Sequence, residues 1–68
     1  MATLTAKEKS YLEDAISMEN LFMTKLGVYA DQCQDQSLKN LLFQMSKNKR
    51  DHATTLKQML QADRYTYQ

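Results

Sequence analysis

The sequence predicts an all-α fold, an antiparallel helical hairpin that pairs with a second copy into a four-helix bundle. The 68 residues contain one Gly and no Pro beside 43% hydrophobic residues, a composition that leaves little room for loops. Apolar residues recur every three or four positions in both halves of the chain, the spacing of one helix face. Between the halves, Asp31-Gln32-Cys33-Gln34-Asp35-Gln36-Ser37 holds no apolar residue but Cys33. A lone hairpin has no third layer to cover its apolar faces, so self-association is expected of this single domain, residues 1–68.

The first helix is expected over about 5–32. Thr5 followed by Glu8 forms a capping box, in which hydroxyl and carboxylate each satisfy an orphan backbone N–H. The apolar stripe then runs Leu12, Ala15/Ile16, Glu19, Phe22/Met23, Leu26, Tyr29/Ala30, Cys33, while Lys7, Lys9, Glu13, Asp14, Asn20, Lys25 and Asp31 fall elsewhere on the cylinder. Such a helix is roughly 40 Å long. Gly27 costs about 1 kcal/mol in a helix relative to Ala and reads as close approach of a neighbouring helix or as simple tolerance. The turn is expected at about 33–35, with Asp35 capping a second helix over about 36–62, and so short a connection makes the helices antiparallel. The second stripe reads Leu38, Leu41/Leu42, Met45, Asn48/Lys49, His52, Thr55/Leu56, Met59, with Lys39, Lys47, Arg50, Asp51 and Lys57 outward or at the flanks. Residues 63–68 carry no obvious C-cap and are expected to fray as a tail; its Tyr65 and Tyr67 read as tail or as partner contacts.

Each stripe is interrupted by polar residues, the first by Glu19 and the second by Lys49 and His52. Glu19 and Lys49 lie fifteen residues before and after a turn centred near Gln34, so they share one level of the hairpin, roughly 22 Å from the turn at 1.5 Å per residue. Three polar groups at one height of an apolar seam read as a vestigial metal site or as a polar lock. Carboxylate-bridged di-iron bundles take Glu from two helices and Glu-x-x-His from the other two. Here that motif reads Lys49-Arg50-Asp51-His52, and Asp51 is rotated about 100° from His52, so Lys49 replaces a ligand. Two copies would offer two carboxylates, two imidazoles and two ammonium groups, and an ammonium can take the place of a cation. Glu19 and His52 are therefore vestigial candidate ligands, with no metal or cofactor expected. A buried or half-buried Glu19–Lys49 pair beside His52 is expected, and Lys49 reaching outward is the plainer alternative.

No catalytic residues are expected. His52 is the only histidine, Cys33 lies nineteen residues away at the turn, and no Ser/His/Asp or Gly-rich phosphate arrangement occurs. A net charge of +1 argues against nucleic acid or a membrane surface as partner, although Lys47-Asn48-Lys49-Arg50 is a small candidate phosphate patch. Met18, Met23, Met45 and Met59 at helical spacing read as packing rather than as an adaptable groove. No apolar run approaches the ~20 residues of a membrane span, and Met1 to Ser10 is too polar for a signal peptide, so a soluble intracellular protein is expected. A single Cys33 excludes an internal disulfide and agrees with a reducing compartment.

Four segments carry a family resemblance: Lys9-Ser10-Tyr11-Leu12-Glu13-Asp14, Met18-Glu19-Asn20-Leu21, Val28-Tyr29-Ala30-Asp31-Gln32-Cys33-Gln34-Asp35 and His52-Ala53-Thr54-Thr55-Leu56-Lys57-Gln58-Met59-Leu60. Together they resemble the coat F domain of endospore-forming bacteria, a ferritin-like family, over about residues 7–60. The stretch from Tyr29 to Asp35 is its most specific part. Longer members look like two hairpins in one chain, so this sequence is similar to a half-length member whose partner is itself or a longer coat F-like relative. The resemblance implies a ferritin-like homodimeric bundle with a structural, non-enzymatic role in or near the spore coat. The alternative it leaves is a small ferritin-like metal-binding protein or oxidase with a degenerate di-metal site, carried over at Glu19 and His52 and departing at Lys49.

Overall fold

Two capped helices account for nearly all of the computed structural model, which describes residues 4–66. Helix α1 spans Ala6–Gln32 and α2 spans Gln36–Thr66, with no strand among the described residues. The start of α1 is fixed by the reciprocal box at Thr5 and Glu8: Glu8 N–H donates to Thr5 Oγ1 at 3.0 Å, and Thr5 N–H to Glu8 Oε1 at 2.9 Å. Its end comes at Cys33, whose backbone turns extended (φ −75°, ψ 138°) while its N–H still donates to Ala30 O at 3.2 Å. Asp35 then caps α2, its Oδ2 accepting from Leu38 N–H at 2.7 Å. Helix α2 continues past the expected end near Ala62 as far as Thr66. Nothing in Asp63-Arg64-Tyr65-Thr66 breaks a helix, there being neither Gly nor Pro to stop it. Tyr67 and Gln68, the end of the expected tail, lie outside the described residues.

The hairpin is a rod with extents of 50 × 16 × 13 Å, its length set by α2 at about 1.5 Å per residue. The helices meet along a thin line. Only Ala30 (0% exposed) and Ala53 (2%) are fully buried among the described residues. Half-buried side chains complete the contact, Leu12, Ile16, Glu19, Met23 and Leu26 from α1 and Leu42, Ser46, Lys49, Leu56 and Leu60 from α2.

On α2 this line is rotated by about one residue from the stripe of large apolar residues in the sequence. Ser46 and Ala53 take contact positions where Met45 and His52 were expected, and Lys39, expected outward, is half-buried at the edge. Small residues let two helix backbones approach closely, and the larger side chains beside them are displaced to the flank. The displaced residues stand on an outer face, interrupted on α2 by Asn48, His52 and Thr55 between Met45 and Met59. It carries Tyr11, Met18, Phe22 and Tyr29 from α1 and Leu38, Leu41, Met45 and Met59 from α2, each between 40% and 59% exposed. At about 100° per residue both rows sit roughly a quarter turn from the seam, and in antiparallel helices these turns carry them to the same side.

Candidate polar site on the outer face

Glu19 is the centre of the polar cluster. Its position on α1, one turn before Met23 and one after Ile16, puts the carboxylate at the edge of the seam, with its side chain only 20% exposed. Lys49 on α2 approaches from across the seam, Nζ to Oε1 at 3.5 Å, and is itself 31% exposed. His52, one turn further along α2, brings Nδ1 to within 3.0 Å of Oε2 and remains 61% exposed. The two carboxylate oxygens thus serve two different partners. Lys49 also places its ammonium 5.6 Å from the centroid of the Phe22 ring, within reach of a cation–π attraction.

All three residues singled out in the sequence therefore come together at one level, but they do so at the margin of the outer face rather than inside the hairpin seam. Ala53 occupies the buried position next to His52, so the imidazole points onto the surface. A shallow hollow of about 350 Å³, lined by Glu19, His52, Thr55 and Leu56, opens there. The chemistry available to one chain is limited to a half-buried ion pair and a carboxylate–imidazole hydrogen bond. No group of three or more His, Cys, Asp or Glu side chains converges among the described residues, so one hairpin alone supplies two candidate donors, Glu19 and His52. Cys33 sits at the turn end of the rod, half-buried and remote from this cluster.

One contact has no counterpart in the sequence reading. Ser46 Oγ donates to the carbonyl oxygen of Met23 at 2.9 Å, tying α2 to the α1 backbone on the far side of the seam. Its only signal in the sequence is a small hydroxyl residue one position after Met45. Gly27 faces the same serine: a methyl group there would lie 3.9 Å from Ser46 Oγ, an ordinary contact. The glycine is thus tolerated rather than required.

No helix among the described residues is long and apolar enough to cross a membrane. No family model, curated protein or solved structure matches the chain.

Proposed function

We propose that the chain is a non-enzymatic structural protein that acts as a homodimeric, ferritin-like four-helix bundle in the spore coat or in association with the spore. The observation that carries the dimer is the outer face, eight large apolar residues exposed along one side of a rod in which, among the described residues, two alanines are fully buried. Large apolar residues exposed together along one side of a helix pair support an interface there. Stable interfaces cover about 800 Å² per partner, roughly 15% of the 5207 Å² that this hairpin exposes, and the outer face runs along both helices. A second copy presents the same patch, so a two-fold axis closes the contact. The cost of covering Glu19 and Lys49 there is reduced because they already partner one another. The coat F assignment rests on the resemblance, centred on Tyr29 to Asp35, which also admits a longer coat F-like relative as partner.

Light scattering after gel filtration tests the assembly: twice the chain mass is expected, and a folded helical monomer at micromolar concentration contradicts it. A fluorescent fusion in a sporulating bacterium tests the location. Recruitment to the forespore surface is expected, whereas a fusion that stays diffuse in the mother cell counts against a coat role. Metal analysis of untagged protein tests the absence of chemistry, since about one iron or manganese per chain, lost in His52→Ala, would replace the structural reading by a metal-binding one.

A further inference from the structure

The side of the rod away from the outer apolar face carries a different feature, a cleft of about 210 Å³ lined by Met23, Phe43, Ser46, Lys47 and Arg50. Its origin is local. Ser46 and Gly27 meet at one level of the seam, and two small residues there leave space that a larger pair would fill. The serine hydroxyl donates to Met23 O, so the floor is tied in place. Phe43, Lys47 and Arg50 follow at i, i+4 and i+7, one row on α2, with the ring 45% exposed. Neither cation has an ion-pair partner among the described residues. Ligand sites for small molecules usually enclose about 300–1,000 Å³, so this smaller cleft suits one apolar side chain delivered by a protein surface that also carries an acid.

The chain carries such a surface itself. Helix α2 has six basic and two acidic residues, a net +4, whereas α1 has three basic and five acidic, a net −2. On the back of α1, Asp14 and Leu21 stand seven residues apart on one row, Leu21 54% exposed. This row lies on the side of α1 opposite the seam, about 40–60° from Met18 and about 80–100° from Phe22, so it flanks a dimer built on the outer face. Seven residues, about 10.5 Å, also separate Phe43 from Arg50. An α1 laid antiparallel on α2 would bring Leu21 to Phe43 and Asp14 to Arg50 together.

We propose that the Met23–Phe43–Arg50 cleft of one molecule receives the Asp14–Leu21 row of α1 from another, linking homodimers side to side into open chains. The contact joins two different patches, so it is heterologous and does not close on itself as a two-fold contact does. It rests on the homodimer as the repeating unit.

Sedimentation velocity of the full chain over rising concentration tests it, at about 0.01 M and about 0.15 M salt, where the screening length falls from about 30 Å to about 8 Å. Wild-type protein should grow beyond the dimer at low salt and return towards it at the higher salt. Arg50→Glu and Asp14→Lys, each keeping the helical content of wild type, should each stop at the dimer. Mixing the two should restore growth, because Glu at 50 then meets Lys at 14. Wild-type protein that stays dimeric at every concentration overturns the proposal while sparing the homodimer, as do single variants that grow as wild type does or a mixture that fails to grow. Wild-type protein that stays monomeric overturns both. Growth by single chains with the same charge-swap pattern upholds the cleft contact and removes the homodimer.

Discussion

The seam between the helices and the outer face beside it hold apolar side chains of different burial. The seam is closed by Ala30 and Ala53, with Ser46 against Gly27 and an ion pair at Glu19 and Lys49, while Phe22, Leu41, Met45 and Met59 stand outside it. The two alanines bring the backbones close, and the larger seam residues Leu12, Ile16, Met23, Leu26, Leu42, Leu56 and Leu60 are only half-buried, so the seam removes only part of their apolar area from water, at about 25 cal/mol per Å². Eight other large side chains stand 40% to 59% exposed on the outer face, which the proposed dimer would cover. In the proposed homodimer the hairpin would set the geometry and the partner would cover the outer face, so folding and association would be coupled.

Breaking the outer face should therefore cost more than breaking the seam. Leu41→Asp with Met45→Asp removes two large side chains per chain, each worth about 1.5–3 kcal/mol when buried, and places four carboxylates in the dimer contact. Dissociation with loss of most far-ultraviolet helical signal at micromolar concentration is expected; an unchanged spectrum would return the stability to the seam. Ala53→Leu should come next. Overfilling the closest approach costs about 1–3 kcal/mol, read as a lowered urea midpoint with the dimer retained below it.

The polar pair should matter less, because a half-exposed ammonium can turn to water when its partner is lost. Glu19→Leu or Lys49→Leu alone should cost about 1–2 kcal/mol, between the small effect of an exposed pair and the larger one of a buried pair. The double variant should recover most of that loss, with a coupling of about 1 kcal/mol in a double-mutant cycle. Strict additivity would mean that Glu19 and Lys49 are neighbours without being partners. The smallest effect is a gain. Gly27→Ala should raise stability by about 0.5–1 kcal/mol, since the added methyl meets only Ser46 Oγ at 3.9 Å.

The features legible in the sequence are those written in local chemistry or in chain length. Thr5 and Glu8 cap α1 and Asp35 caps α2 because each cap needs only residues three positions apart. The shared level of Glu19, Lys49 and His52 followed from counting outward from the turn, since both helices rise equally per residue. The face of α2 that meets α1 was not legible to within one residue. Hydrophobicity ranks Met45 above Ser46 and Ala53, yet at those two levels close packing between the helices selects the small residues and leaves Met45 and His52 outside the seam. His52 moved from seam to surface for that reason. The last turn of α2, from Asp63 to Thr66, was not legible for a different one: a missing C-cap does not end a helix where no helix breaker follows.

Thermal unfolding followed by circular dichroism over a wide range of protein concentration tests the coupling of fold and partner most directly. If a second copy covers the outer face, Tm rises steadily with chain concentration, and the Leu41→Asp, Met45→Asp variant loses that rise together with its helicity. A Tm that does not change with concentration, in a chain that sediments as a folded helical monomer, would show that two alanines and their half-buried neighbours hold the hairpin without a partner.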